Sequence, residues 1–277
     1  LRKINYIGSG LDNTLLTANF SGNYLFFNPK VGWEFLPAKT QRVFGSISVG
    51  QKEPIRSDFV DHGMGNVPRP EKMLDWELGY RILKNKFKLE TNLYWMQYQD
   101  QLVLTGALND VGTPLRVNVP NSFRRGIELQ GQMNIIPQTL DWTGSITLSQ
   151  NKIARFDELV FNYDKNGYDT ITHNNTDIAM SPNFVFSSQL AWSLKAPFKL
   201  VWMNQIIGKQ YLDNCSNEQS ILKKYWVNDL RLSYEFKTNG NYHLRLNAIV
   251  NNVFNVRYSS NGYNFSYIYG SKITENF

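Results

Sequence analysis

Leu74-Asp75-Trp76-Glu77-Leu78-Gly79-Tyr80-Arg81-Ile82 alternates without a slip. Successive side chains of a strand point to opposite faces, so Leu74, Trp76, Leu78, Tyr80 and Ile82 share one apolar face while Asp75, Glu77, Gly79 and Arg81 share a wet one. The split recurs over 25–35, 87–95, 127–135, 142–148, 184–194, 198–206, 230–236 and 242–250. Taken together, the apolar face has 45 positions and no Asp, Glu, Lys or Arg, in a chain of which 19% is charged. The opposite face carries 12 charges in 36 positions. A soluble sandwich also alternates, but here the apolar face holds Trp33, Phe35, Tyr80, Phe87, Trp142, Trp192, Phe198, Trp202, Tyr234, Phe236 and Tyr242, mostly beside short links. Amphipathic rings gathered at one end of the strands fit an interfacial girdle. The fold class expected is all-β, an antiparallel transmembrane β-barrel. A Lys or Arg at the midplane of its lipid face would cost roughly 2–4 kcal/mol, which accounts for the exclusion of charge.

The links set the topology. Short ones fall at 37–41, 84–86, 136–140, 195–197 and 237–241, and long ones at 8–22, 52–70, 105–120, 155–180 and 213–221. Outer-membrane barrels keep short turns on the periplasmic side and long loops outside. With the opening segment near 1–7 and the segment from about 221, the count is eleven strands. Single-chain bacterial barrels normally have even counts, and residues 263–277 lack a convincing alternating decade. Residues 1–277 are therefore read as one barrel segment truncated at both ends and lacking a final strand, with Phe277 a truncation point.

Length and composition agree with one continuous sheet: no linker, composition shift or low-complexity tract divides the 277 residues. No apolar run approaches the ~18 residues of a membrane helix, a test to which barrels are blind because only alternate residues meet lipid. The net charge of +6 is scattered over turns and the polar face, without a basic cluster or interleaved stacking motif, which argues against nucleic acid. Cys215, the single cysteine, falls in a polar stretch and reads as a bystander. The opening Leu1-Arg2-Lys3-Ile4-Asn5 has no apolar core of a signal peptide, so the start of an exported barrel is expected to lie elsewhere.

Several strings resemble the barrel of TonB-dependent receptors, the active importers of Gram-negative outer membranes. They are Phe27-Asn28-Pro29-Lys30-Val31-Gly32, Val49-Gly50-Gln51-Lys52-Glu53-Pro54-Ile55-Arg56, Pro70-Glu71-Lys72 followed by Glu77-Leu78-Gly79-Tyr80-Arg81, and Asn92-Leu93-Tyr94-Trp95 with Tyr98-Gln99-Asp100-Gln101. Gly126-Ile127-Glu128-Leu129 and Asn251-Asn252-Val253-Phe254-Asn255-Val256-Arg257-Tyr258 complete the series, the last resembling the family's penultimate strand. The resemblance implies a barrel of 22 strands, of which about 11 are present, and an N-terminal plug with a TonB-contacting segment, neither of which is in this sequence. It implies an outer-membrane location, contact with lipid and lipopolysaccharide, and an extracellular small-molecule ligand.

No catalytic constellation stands out, and neither a cofactor nor a metal ligand is assigned. His62, His173 and His243 lie far apart, no Ser sits in a nucleophile elbow, and Asp164-Lys165-Asn166-Gly167-Tyr168-Asp169 is one step short of a calcium loop and lacks its closing Glu. Asp61-His62 reads as a solvated loop pair. Ligand contacts are expected from the long loops and upper lumen: Arg56, Asp58 and His62 in one loop, Arg116 and Arg124 around another, Tyr163 and Tyr168 in a third. Asp75, Glu77, Arg81, Lys88, Glu90, Glu128, Arg231 and Arg245 are expected to pair with one another or with the plug. The expected activity is energised import of a scarce solute, an iron chelate such as a ferric siderophore by its frequency in the family; haem, cobalamin and oligosaccharides are the family's other cargoes. A passive porin of about twelve strands is the alternative, and it requires a closing strand between Tyr263 and Phe277.

Overall fold

The computed structural model of the chain describes all residues except 12–18, 61–66, 109–111, 113, 194–196, 237–243 and 277. His62, His243, Leu194, Tyr242, Phe277 and most of the expected links 195–197 and 237–241 lie outside the described residues. The strands are β1 (Arg2–Gly8), β2 (Phe20–Phe26), β3 (Lys30–Ala38), β4 (Gln41–Lys52), β5 (Glu71–Lys84), β6 (Phe87–Leu108), β7 (Pro114–Ile136), β8 (Leu140–Asn162) and β9 (Gly167–Asp177). They continue with β10 (Phe184–Ser193), β11 (Phe198–Ile207), β12 (Gln210–Tyr211), β13 (Ile221–Leu222), β14 (Tyr225–Phe236), β15 (Leu244–Val250), β16 (Phe265–Tyr269) and β17 (Lys272–Asn276). One short helix, α1 (Arg56–Val60), interrupts them.

Ten strands form one antiparallel wall in the order β15-β14-β11-β10-β8-β7-β6-β5-β4-β3. Its registers keep the two faces apart. One rung crosses nine strands through Phe35, Val43, Tyr80, Thr91, Leu129, Ile146, Phe186, Ile206 and Trp226. The neighbouring rung runs Arg42, Arg81, Glu90, Gln130, Ser145, Ser187, Gln205 and Val227. A slip of one residue in any strand would have interleaved the two sets. The apolar rung starts near Ala38, at the inner end of β3, and finishes beside Tyr225, at the outer end of β14. Strands therefore tilt steadily against their own rungs, as a sheet curling into a barrel requires.

Burial confirms which face looks out. Trp76 and Trp95, directly paired, are 49% and 51% exposed. By contrast, Val103, Val119, Ile153, Phe156 and Ile178 form a buried cluster contributed largely by the outer reaches of β6, β7 and β8. The ordinary apolar core thus sits in the outer head rather than in the wall.

Three expected short links are tight turns, at 39–40, 85–86 and 137–139. Two expected long loops are corrected. Residues 105–120 and 155–180 are mostly strand: β6 and β7, and β8 and β9, continue outward as long hairpins. Their outer stretches lose the apolar alternation because neither face meets lipid there, so the sequence signal fades while the ladder persists. The opening segment does not join the wall. β1 pairs with β2 in a separate two-stranded sheet, and the strand expected over 25–35 is broken at 27–29, where Pro29 has no N–H to give a ladder. Residues 263–277 contain the β16–β17 hairpin, whose turn residues Gly270 and Ser271 have φ of 59° and 60°, the positive values of a two-residue primed turn. β16 adds to the outer end of β8, with Tyr267 opposite Phe161. Among the described residues nothing pairs with the free edges of β3 and β15, both exposed throughout.

Candidate functional site

Inside the wall, β6, β7 and β8 place a polar cleft of 370 Å³ under the outer head, lined by Glu77, Asn92, Tyr94, Met96, Arg124, Glu128 and Asn151 among others. Alternation puts these side chains on the wet face. Gly126 makes room for the Tyr94 ring: a Cβ there would stand 2.4 Å from the Leu148 carbonyl oxygen and 2.8 Å from the Tyr94 hydroxyl. The Arg124 guanidinium donates to Ser181 Oγ at 3.0 Å. Asn92 Oδ1 is buried without a partner among the described residues. Lower down, Arg81 pairs with Glu90 at 2.7 Å, Lys88 reaches the same carboxylate at 3.9 Å, and Arg245 pairs with Glu235.

The structure joins two of the expected loop residues, in an internal bond. Asp58 Oδ1 accepts from Arg116 at 2.8 Å, and Asp58 Oδ2 accepts from the Ile55 backbone N–H at 2.7 Å. Asp58 is the third residue of α1, so its carboxylate caps the helix start in the manner of a capping box. Buried and committed on both oxygens, it fastens the loop to β7. Arg56 is exposed and borders a separate cavity with Tyr6, Glu53 and Ile55.

Tyr163 and Tyr168 both lie at the tip of the β8–β9 hairpin. Both stand edge-on to Phe161, at centroid distances of 4.9 and 5.2 Å, and Tyr163 also meets Tyr267 of β16 at 5.6 Å. The two tyrosines are 59% and 52% exposed, which leaves ring faces open to solvent. The acidic residues of the same turn have internal work. Asp164 accepts the Gly270 and Ser271 N–H groups at 3.0 and 2.8 Å, which holds its carboxyl below the usual range. Asp169 accepts from Asn162 at 2.7 Å and pairs with Lys165.

One grouping escaped the sequence. Glu158 of β8, His173 of β9 and Cys215 of the β12–β13 loop bring a carboxylate oxygen, an imidazole nitrogen and the thiol sulfur within 4.8 Å of one another. His173 Nε2 lies 2.8 Å from Glu158 Oε2. Burial, and then the nearby Asp213 and Glu158 carboxylates, push the Cys215 thiol well up. The spacing of these three residues matches no ligand motif, because the pairing of β8 with β9 and the loop's return across it create the proximity.

Residues 5–253 match the family model described as TonB dependent receptor-like, beta-barrel. No curated protein matches the chain. Among solved structures it is similar to the siderophore receptor PiuA from Acinetobacter baumannii, with a TM-score of 0.65 and 17% identity over 90% of this chain and 34% of that one. It is similar also to the ferric-catecholate import receptor Fiu from E. coli K12, with a TM-score of 0.64 and 18% identity over 92% and 37%. The ferric yersiniabactin uptake receptor FyuA from Yersinia pestis gives 0.62 and 15% over 98% and 38%. The chain spans little more than a third of the length of these relatives, and at such identities the likeness is one of fold.

Proposed function

Since the chain belongs to the TonB-dependent receptor family of Gram-negative outer-membrane β-barrels, we propose that residues 1–277 are part of the barrel wall of an energised importer of an iron chelate, a ferric siderophore. The plug and the segment that contacts TonB belong, in this reading, to chain outside these residues. Lipid and lipopolysaccharide meet the apolar face.

The observation that supports the cargo assignment is the ring cluster at the outer tip, in which exposed Tyr163 and Tyr168 pack on half-buried Phe161 and Tyr163 meets half-buried Tyr267. Planar aromatic groups of a chelate can stack on such rings, each contact contributing about 0.5–1.5 kcal/mol. Arg124 in the cleft beneath offers a guanidinium donor to the oxygen atoms of a chelate passing inward, beside the Glu77 and Glu128 carboxylates of the same cleft. Among the described residues of the expected set, Arg56 is the remaining exposed cation; Asp58 and Arg116 act by holding their loop in place. The porin reading loses support because β16–β17 docks on β8 instead of bridging β15 to β3.

The test is binding and uptake of labelled ferric chelates by cells carrying the whole receptor. Replacing Tyr163 and Tyr168 together by Ala is expected to weaken binding about tenfold or more, from two lost contacts. Uptake is expected to stop when the inner-membrane proton gradient is collapsed. Uptake that survives that collapse would indicate a passive channel, and binding of haem or an oligosaccharide in place of every ferric siderophore would overturn the cargo.

A further inference from the structure

Glu158, His173 and Cys215 present three different donor atoms to one point in the outer head. Two come from paired strands. His173 lies opposite Phe156, so Glu158, two residues along β8, is its diagonal neighbour on the same face. The third comes from a loop whose anchoring leaves Cys215 little choice of position. Asn214 is fully buried, accepts the Ala179 N–H at 2.8 Å and donates to the Leu104 carbonyl. Asp213 accepts from the Cys215 N–H at 2.8 Å, Ser220 Oγ at 3.0 Å and Asn264 at 2.6 Å. Ser216 Oγ accepts the Asp177 N–H at 2.7 Å. The residues on both sides of the cysteine are thus bonded to other segments, the kind of supporting shell that orients metal ligands.

We propose that Glu158, His173 and Cys215 form a binding site for a single borderline divalent cation of the Zn²⁺ type. The donor set selects the ion. Carboxylate, imidazole and thiolate are all zinc ligands, whereas Ca²⁺ and Mg²⁺ take oxygen almost alone. Three protein ligands leave a fourth tetrahedral position for water. Coordination replaces the His173–Glu158 hydrogen bond with two metal bonds: the proton that His173 Nε2 shared with Glu158 leaves to solvent, the neutral imidazole carries its one proton on Nδ1 while Nε2 takes the metal, and the thiol proton also leaves to solvent as the thiolate binds. The bound ion ties the β8–β9 hairpin to the β12–β13 loop. The site is independent of the iron chelate proposed above, since no residue is shared with the ring cluster or the cleft.

Co²⁺ is the probe, added to the whole receptor in detergent under reducing conditions. The expected result is a near-ultraviolet thiolate-to-cobalt charge-transfer band that saturates at one ion and is abolished by Zn²⁺. Cys215→Ser should remove the band, and His173→Ala and Glu158→Gln should each weaken binding at least about tenfold. Lys165→Ala, at the hairpin tip, should leave it unchanged. Because a variant can fail to fold, alkylation of Cys215 in the wild-type receptor, followed by mass spectrometry, gives a second reading: Zn²⁺ should slow it and Mg²⁺ should not. Absence of the band in the wild type, binding that survives both Cys215→Ser and His173→Ala, or alkylation indifferent to Zn²⁺ would overturn the site.

Discussion

The indole of Trp142 lies flat across two glycines on the lipid face. A Cβ on Gly131 would stand 2.6 Å from its ring, and one on Gly144 would stand 2.6 Å from the ring and 3.1 Å from the Ser187 carbonyl oxygen. The indole N–H donates to Ser188 Oγ at 2.9 Å. Three positions that look like gaps in the apolar face, two glycines and a serine, are therefore one seat for a tryptophan. Gly144→Val should displace the ring and destabilise the folded receptor by about 1–3 kcal/mol, the usual cost of overpacking. Ser188→Ala should cost about 1–3 kcal/mol by leaving the half-buried indole donor without its partner. Denaturant titration in lipid vesicles, followed by tryptophan emission, measures both; an unchanged midpoint for Gly144→Val would contradict the seat. Asp58 carries a comparable load in the outer head. Asp58→Ala removes a charged hydrogen bond and a helix cap, about 1.5–3 kcal/mol, and should speed amide hydrogen exchange in 54–60 and 114–118 without altering affinity for bound chelate.

Elements behave according to which face a residue occupies, and β7 offers the cleanest comparison. Leu129 and Gln130 are adjacent, one on the apolar rung and the other on the polar rung. Leu129→Arg should cost roughly 2–4 kcal/mol in vesicle folding and Gln130→Arg close to nothing; equal effects would mean that the face assignment is wrong. That parity was legible in the sequence, because period-two alternation survives wherever one face meets lipid and the other water. The outer hairpins were not legible for the same reason. Gly167–Asp177 places Tyr168, Thr170, Thr172 and Asn174 opposite Asp169, Ile171, His173 and Asn175, with no apolar face to announce a strand. The Glu158, His173 and Cys215 grouping was hidden by distance along the chain, and the role of Asp58 by its dependence on Arg116. Asp164 shows how such long-range bonds can be probed. Its carboxyl is lowered by the Ser271 and Gly270 N–H groups, so the bond is at full strength above the ordinary carboxylate pKa of about 3.9 and disappears as pH falls through the lower folded value. Tyrosine near-ultraviolet dichroism, reporting the Tyr163–Tyr267 contact, should therefore hold at neutral and mildly acidic pH and fade only below the carboxylate range. Asp164→Asn should show the faded signal at pH 7.

At the scale of the whole molecule, the wall is a curved sheet with two open edges. β3 and β15 each present a row of backbone donors and acceptors that no described segment meets. Within hydrocarbon each unmet group costs several kcal/mol, so only a closed barrel lets this wall cross a membrane. Closure could come from further strands of a larger barrel or from a bend bringing β3 against β15. A rung that crosses nine strands without meeting its own start favours the first. Produced by themselves, residues 1–277 should accordingly fail to insert as a monomer. In detergent they should associate edge to edge, and light scattering should give dimers or larger species. Electrophoresis should lack the heat-dependent mobility shift of a closed barrel. A monodisperse monomer showing that shift would mean that β3 and β15 do meet, and would revive the passive porin.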